Sequence, residues 1–480
     1  MPDFAKLDQR YVWHPFTQMR DWLKREPIVI ESGDGAVLRD TRGREYLDAN
    51  SSIWTNLHGH NHPKLNTAIK KQLGKVAHTS ALGFANEPAS LLAEKLIKAA
   101  ALPNGVKISP ADRKSKIVNR KLTKVFFSDD GSTAMEVALK LAYAYAHRTG
   151  RPNPKFLSLE GAYHGDTAGA VSLGHIDLFH KAYAGLLFKT DRVMSPYCYR
   201  CPFNRAKPEC ADARDYRRCK FECVDLVENK FARQKKRGNP YAAFVVEPLM
   251  QGAAGMIPQP QGWLRRVAEI TRANKAQLIA DEVMTGFGRT GVRNSALFAS
   301  HQENVQPDFL ALAKGMTGGY LPMAATLTTQ AVFDAFLGEY SEFKTFFHGH
   351  SFTANQLGAA AANASLDLLQ SESSVRARQQ LQQTLEKELA ALWTLPEVGD
   401  IRQVGLVAGI ELVKNWRTRE PFDLRERAGI RVCNALAQRG VLTRPIGNVI
   451  VVMPPYCTTK IQLKKIVGAL AESISEALSH

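Results

Sequence analysis

The sequence of 480 residues has no uninterrupted apolar stretch of the roughly 18–20 residues that a membrane-spanning helix needs. Its first residues, MPDFAK, also lack the charged and then apolar order of a secretion signal. Acidic residues are few relative to basic ones, since 46 Asp and Glu oppose 63 Lys and Arg and leave a formal net charge of +17. From the first two absences we expect a cytoplasmic protein with no membrane partner.

The excess of positive charge raises the question of a nucleic-acid partner. The basic residues are concentrated in two stretches, 107–124 and 214–237, and neither carries a known nucleic-acid-binding motif. We interpret both stretches as solvated surface and predict no nucleic-acid partner.

Cysteine is scarce outside one segment, because five of the seven cysteines lie between positions 198 and 223. A C-x-x-C pair followed by further cysteines can hold zinc or an iron–sulfur cluster. The later spacings fit no standard module and no histidine joins them, so free thiols are the preferred interpretation and no metal is predicted. A metal-binding or nucleic-acid-binding protein built around this segment stays open as a distant alternative.

Two apolar runs end in residues that do not belong in a buried strand. Residues 278–280 are followed by Asp281, and residues 309–313 are followed by Lys314. Three more runs, ending at Phe127, Leu159 and Val246, also lead into polar or aromatic residues. In a doubly wound α/β sheet these positions lie at the carboxyl ends of the strands, where ligands bind. The pattern predicts an α/β fold in which an acid and an amine share one crevice.

This pairing of acid and amine has a specific chemical use. A lysine can hold an aldehyde cofactor as a Schiff base, and pyridoxal phosphate needs a carboxylate at its ring nitrogen. Upstream, a strand is followed by Gly131 and Ser132 at the start of a helix, whose free amides and dipole favour a phosphate. Each feature alone could be ordinary surface chemistry or a helix cap, and only their combination is specific.

The lysine segment, residues 278–322, resembles that of the class III (omega) pyridoxal-phosphate aminotransferases. The resemblance extends to most of the chain through five motifs: WHPFTQM (13–19), SSIWTNLHGHNHP (51–63), FFSDDGSTAMEVALK (126–140), YHGDT (163–167) and HGHSFTANQLG (348–358). It implies the pyridoxal-phosphate-dependent transferase fold of type I, with a large domain built on a mostly parallel seven-stranded sheet and a smaller α+β domain. The length of the chain also favours two domains, since one domain usually takes about 100–200 residues.

The expected organisation has three parts. Residues 1–62 form an N-terminal arm and an antiparallel meander that belong to the small domain. Residues 63–345 form the large cofactor-binding domain, with a cysteine-containing excursion at 196–225, and residues 346–480 complete the small domain.

The resemblance also implies roles for individual residues. Lys314, Asp281 and Tyr163 are the predicted catalytic residues: the amine holds pyridoxal 5′-phosphate, the carboxylate contacts its ring nitrogen and the phenol ring stacks on it. Gly131 and Ser132 hold the phosphate. His350 and Ser351 belong to a turn that reaches the phosphate of a neighbouring subunit, which implies a homodimer with shared active sites; the alternative is a loop that closes the large domain.

A further set of residues is predicted to bind the amino donor and the keto acceptor. Most of these positions have a plainer alternative, such as a surface arm for Phe16, a core residue for Trp54 or a surface arginine for Arg444. The predicted substrate-binding residues are Phe16, Trp54, Tyr163, Asp166, Gly349 and Arg444.

Within class III, the motifs are most similar to the branch that converts 8-amino-7-oxononanoate to 7,8-diaminononanoate in biotin synthesis. Arg444 would then hold the far carboxylate of the acceptor, because a guanidinium offers paired hydrogen bonds. The amino donor is lysine or S-adenosylmethionine. Phe16 and Ile53 stand where users of S-adenosylmethionine commonly carry Tyr and Trp, which favours lysine. A class III enzyme acting on another diamine or omega-amino acid is the nearer alternative.

Overall fold

The fold is taken from a computed structural model that describes residues 2–102, 120–291 and 296–478. Most of the basic stretch 107–124 lies outside these residues. Within the described ranges, no helix combines the length and the apolar character needed to cross a membrane.

A seven-stranded sheet forms the centre of the molecule. Its strands are β4 (Leu122–Ser128), β5 (Lys155–Leu159), β6 (Asp191–Val193), β7 (Tyr241–Val246), β10 (Gln277–Asp281), β11 (Phe309–Leu312) and β12 (Ala324–Thr329). They stand in the order β4-β12-β11-β10-β7-β5-β6, and neighbouring strands are parallel except that β12 runs antiparallel to both β11 and β4. The mostly parallel sheet is therefore confirmed.

Strands β7, β11 and β12 are buried along their whole length, as expected when helices cover both faces of the sheet. The covering helices present one apolar face each: Gly131–Arg148 packs Val137, Ala138 and Leu141 inward, and Trp263–Ala273 packs Leu264 and Val267 inward. The sheet is thus held between two hydrophobic layers, and only the ends of its strands are open to a ligand.

The expected N-terminal meander is present as three antiparallel strands. Its last strand also pairs, in parallel, with a strand from the C-terminal part of the chain, Val441–Leu442. The meander strands are β1 (Ile30–Asp34), β2 (Val37–Asp40) and β3 (Glu45–Asp48). The remaining strands are β8 (Met250–Gln251), β9 (Ile257–Pro258), β13 (Val398–Val404), β14 (Val407–Asn415), β15 (Glu420–Pro421), β16 (Val441–Leu442), β17 (Pro445–Ile446) and β18 (Val449–Val452).

The longer helices outside those already named follow the apolar stripes of the sequence. They are Phe4–Tyr11, Pro63–Leu73, Glu87–Ala99, Glu222–Lys236, Gln356–Gln370, Glu372–Leu389, Ala428–Gln438 and Lys460–Leu478. The last three cover the C-terminal sheet through one continuous core that includes Leu385, Val432 and Leu470.

The cysteine-containing excursion, residues 196–225, docks on the C-terminal sheet rather than standing free. Its Arg200 binds Glu411 through Nη2 at 2.5 Å, and Glu411 also binds the buried Arg402 at 2.5 Å. The Tyr197 hydroxyl donates to the same carboxylate. The cysteines of the chain are unpaired, and within the described ranges no group of three or more His, Cys, Asp or Glu side chains is placed to hold a metal ion.

Candidate active site

The acid predicted at the strand edge lies in a buried pair with a histidine. Asp281 is the last residue of β10 and is 5% exposed. Its Oδ2 lies 2.7 Å from Nδ1 of His164, and its Oδ1 accepts from the amide of Val283 at 3.1 Å. The carboxylate is therefore held in one orientation at the carboxyl end of the sheet.

The histidine of this pair favours its charged form. Burial acts to lower the pKa of His164, but the hydrogen bond to Asp281 and the charges of Asp281 and Glu247 outweigh it, so the pKa is raised. Glu247 follows β7 and accepts from the amides of Tyr163 at 3.2 Å and Gly252 at 2.8 Å. Burial raises the pKa of this carboxyl to about 7. Three titratable groups thus share one water-poor space.

Lys314 stands on a strained turn at the end of the neighbouring strand. It follows β11 after one residue and has φ of +44°, a left-handed conformation that is uncommon for a residue with a side chain. Burial lowers the pKa of its amine, against the charges of Asp281 and Glu247. Its Nζ lies 4.7 Å from the centre of the Trp54 ring. An amine with a lowered pKa is more often neutral and can attack a carbonyl carbon.

The helix that begins at Gly131 presents free amides at the same edge. Its N-cap, Asp130, accepts from the Thr133 amide at 2.8 Å. No described residue accepts a hydrogen bond from the amides of Gly131 and Ser132. Two free amides at the positive end of an 18-residue helix form a ready site for a phosphate.

The free amides of Gly131 and Ser132 form what is named the phosphate cup here, and the Ser132 hydroxyl lies at one side of it. It lies 2.8 Å from the Thr167 hydroxyl and accepts from the Thr167 amide at 3.0 Å. Gly165 packs directly against it: a Cβ on Gly165 would lie 2.7 Å from Cα of Ser132. The YHGDT segment therefore packs closely against the start of the helix Gly131–Arg148.

Tyr163 and Asp166 lie beside the acid. The Tyr163 hydroxyl donates to Asp166 at 2.6 Å, and burial together with this bond raises the pKa of the phenol. On the other side the Tyr163 ring faces Phe179, with ring centres 6.4 Å apart. The ring is thus held at its edge by a hydrogen bond and at its side by an aromatic contact.

Phe16 and Arg444 meet at the outer rim of the site. The Phe16 ring packs edge-on against Phe179 at 5.3 Å, and Nη2 of Arg444 donates to the Phe16 carbonyl at 3.3 Å. Arg444 is exposed and forms no ion pair with a described residue. The Phe179 ring therefore contacts the rings of both Phe16 and Tyr163, a set named the aromatic row here, and Arg444 contacts the backbone of Phe16 at one end of it.

The turn at 348–351 lies apart from this row. His350 Nδ1 is 3.9 Å from Asp129, just before the phosphate cup, while the Ser351 carbonyl accepts from His78 at 2.9 Å. Gly349 is exposed, and its Cβ position meets no atom within 4 Å. Within one chain, only His350 of these three approaches the cup.

Some residues of the site were not predicted from the sequence. Glu247 directly follows a strand of the central sheet, so the rule that identified Asp281 would have identified it as well. His164 and Thr167 are part of the YHGDT motif and gave a weaker signal. Phe179 gave none, because its position beside Phe16 depends on the folding of the intervening chain.

These residues fit pyridoxal phosphate. The free amides of Gly131 and Ser132 suit its phosphate, the amine of Lys314 suits its aldehyde, and Asp281 suits its ring nitrogen. An α/β sheet that presents this set at the carboxyl ends of its strands is typical of a pyridoxal-phosphate-dependent enzyme.

Comparison with known proteins gives the family. The family model for class-III aminotransferases matches residues 19–474, and the chain belongs to this family. The adenosylmethionine-8-amino-7-oxononanoate aminotransferase of Geobacter sulfurreducens is 45% identical over 480 residues, which are 99% of each protein. The crystal structure of the enzyme of that name from Methanocaldococcus jannaschii has a TM-score of 0.86 at 39% identity and covers 99% of both chains.

A second solved structure supports the cofactor. It is an amine transaminase from an uncultivated Pseudomonas species in the form with bound pyridoxal phosphate. It is 31% identical, has a TM-score of 0.84 and covers 97% of this chain and 99% of its own. Pyridoxal 5′-phosphate is therefore the cofactor of this enzyme, which takes an amino donor and a keto acceptor as substrates.

Proposed function

We propose that the protein transfers an amino group to 8-amino-7-oxononanoate and forms 7,8-diaminononanoate, a step of biotin synthesis. The observation that carries this proposal is the 45% identity along 99% of the Geobacter sulfurreducens enzyme whose name states that acceptor. The row of aromatic side chains that ends at Arg444 supports it, because the acceptor is a long aliphatic chain with a carboxylate at its far end.

The residues of this chain divide the work between binding and proton transfer. Pyridoxal phosphate, when bound, supplies a ring that withdraws electrons from the substrate carbon. Asp281, held by His164, would keep a proton on the ring nitrogen. The amine of Lys314 would take a proton from the donor carbon and return it at the former aldehyde carbon of the cofactor, on the other side of the transferred nitrogen, as a general base and then a general acid. Trp54 would cover this amine and keep water away.

Arg444 and Tyr163 would position the acceptor. Arg444 would bind the carboxylate through two parallel hydrogen bonds, stronger than its single 3.3 Å bond to the Phe16 carbonyl. Tyr163, fixed by Asp166, would lie against the cofactor ring. The reacting carbonyl is then held at a set distance from the anchored end.

The test begins with the absorbance of purified enzyme mixed with pyridoxal phosphate. We expect a visible band in the wild type that is lost in Lys314→Ala, and borohydride treatment should attach the cofactor to Lys314 in a peptide map. Product formation from 8-amino-7-oxononanoate is then measured by mass spectrometry. A wild type that binds the cofactor but forms no diaminononanoate with any donor would rule out the proposed acceptor.

The donor proposed is lysine. The names of the relatives contain adenosylmethionine, whereas Phe16 and Ile53 of this chain offer neither the phenol hydroxyl nor the second indole of the usual users of that donor. A sulfonium cation gains from an aromatic face, so its absence should weaken binding. Parallel assays with each donor decide: activity with S-adenosylmethionine and none with lysine would reverse this choice.

We also propose a homodimer in which the turn at 348–351 completes the partner's phosphate site. Large apolar side chains near this turn are exposed in the single chain: Leu82 (89%), Phe84 (71%), Phe347 (75%) and Phe352 (59%). Several large apolar side chains exposed in this way are consistent with a surface that a partner subunit covers. The division into residues 1–62, 63–345 and 346–480 and the cytoplasmic location belong to the same proposal.

Mixed dimers test the shared site. Lys314→Ala lacks the amine, and Ser351→Asp would repel a phosphate, so each variant alone should be inactive. If Ser351 acts across the interface, mixed dimers regain one complete site, and refolding the two variants together should restore about a quarter of the activity. No recovery in mixtures that light scattering shows to be dimeric would place Ser351 in its own subunit's site.

A further inference from the structure

Phe179 lies at the centre of the aromatic row and has no assigned role. It belongs to the short helix Asp177–His180 and is half-buried. Its ring contacts Phe16 at 5.3 Å on one side and Tyr163 at 6.4 Å on the other, both edge-on. Phe16 and Tyr163 come from distant parts of the chain, and Phe179 connects them.

The two ends of this row differ in chemistry. At the inner end, Tyr163 borders Glu247 and Asp166, next to the pair formed by Asp281 and His164. At the outer end, the guanidinium of Arg444 contacts the Phe16 carbonyl. Between the ends lie the rings of Phe16, Phe179 and Tyr163, and the buried His180 ring packs behind Phe179 and Tyr163 with ring centres 6.1 and 6.3 Å away. A substrate that spans it therefore needs a reactive carbonyl at one end, a carboxylate at the other and methylene groups between them.

We propose that Phe179 is a specificity-determining residue, which binds the methylene chain of the acceptor between the cofactor and Arg444. The proposal rests on the proposed function, since a long carboxylate acceptor is the substrate that fits the row. An aromatic ring is suited to this task because it buries a large apolar area with few rotatable bonds. Phe179 also packs against Phe16, so it helps to hold the N-terminal arm beside the aromatic row.

Leu178 provides a matched control. It lies next to Phe179 on the same short helix, is 78% exposed and is apolar like its neighbour. Substitution of either residue by alanine changes the helix similarly, but only Phe179 contacts the row. Effects that appear in Phe179→Ala and not in Leu178→Ala therefore report on the row itself.

The experiment measures the two half-reactions of the holoenzyme separately. In Phe179→Ala we expect the KM for 8-amino-7-oxononanoate to rise about tenfold, the scale of a lost aromatic contact. The absorbance change that lysine, the proposed donor, produces alone should keep its rate within about twofold, because lysine is shorter than the acceptor and need not reach the outer rim. Phe179→Leu, which retains apolar bulk, should recover most of the affinity for the acceptor.

The outcomes separate this inference from the proposed function. An acceptor KM in Phe179→Ala that matches the wild type, or a donor half-reaction slowed as much as the acceptor one, would overturn the role of Phe179 while leaving the reaction intact. A wild type that forms no diaminononanoate would overturn both. Cofactor content and unfolding temperature are measured for each variant to detect loss of the fold. If Phe179→Ala does not fold, the acceptor KM of Phe179→Leu tests the role of Phe179 instead.

Discussion

Removing the charge of His164 while keeping its hydrogen bond should reveal what the buried pair contributes. In His164→Asn the amide nitrogen stands close to the position of Nδ1, so the donor to Asp281 is retained but cannot carry a proton charge. In His164→Ala both the donor and the charge are lost. The two variants therefore separate orientation of the carboxylate from its electrostatic environment.

The expected magnitudes follow from the geometry of the pair. The 2.7 Å bond joins two groups that are 3% and 5% exposed, so solvent screens it little. A hydrogen bond to a charged group contributes about 1.5–3 kcal/mol, or roughly 10- to 150-fold in an equilibrium or a rate. We expect His164→Asn to lower kcat about tenfold. His164→Ala should lower it at least 100-fold and weaken cofactor binding, because Asp281 is then free to turn.

The pH dependence provides a second check with a fixed sign. The pKa of His164 is raised in the folded protein, so the stabilisation is complete below the ordinary histidine value of 6.5 and is lost as pH rises through the folded pKa. The difference in unfolding free energy between the wild type and His164→Asn, measured with urea, should be largest at pH 6 and shrink towards pH 9. A constant difference, or equal kcat in wild type and both variants, would refute the reasoning.

Three further predictions concern other parts of the structure. Glu247→Gln should flatten the pH profile of unfolding between pH 4.5 and 7. Burial raises the pKa of Glu247 to about 7, so the wild type loses up to about 3 kcal/mol of stability across this range, whereas the variant has no carboxyl to titrate there. Gly165→Ala should raise the Kd for pyridoxal phosphate about tenfold in a fluorescence titration, because the Cβ would lie 2.7 Å from Cα of Ser132 and Gly165 has φ of +117°. Glu411 and Asp400 share the buried Arg402. The pKa of Glu411 is lowered because Arg402 outweighs the effect of burial, whereas burial raises the pKa of Asp400 to about 7. Glu411→Gln should therefore destabilise the protein by about 3–5 kcal/mol in urea unfolding and Asp400→Asn by less, and equal losses would contradict this order.

The central sheet and the placement of Asp281 and Lys314 at its edge could be predicted from the sequence because both depend on local patterns. Runs of apolar residues identified strands, and the residue after each run identified the edge of the sheet, as with Asp281 and Lys314. The same rule extends to Glu247. It does not extend to Phe179, whose helix has no buried apolar stripe, nor to the contact between Arg444 and the Phe16 carbonyl. These contacts join segments that only the folded chain brings together.

The backbone around Lys314 adopts conformations that its residue types do not favour. Lys314, Ser52 and Trp54 all have positive φ values, of 44°, 61° and 65°. Such conformations cost on the order of 1–3 kcal/mol each and persist only where the surroundings determine them. Here the Ser52 amide donates to Asp48 at 2.8 Å, and a Cβ on Gly319 would lie 2.7 Å from the Asn56 amide nitrogen. The two segments therefore fix each other, and the strained conformation brings the Trp54 ring over the amine of Lys314. The strained residues lie where the amine of Lys314 must be shielded from water. We therefore infer that the backbone strain serves the reaction rather than the fold.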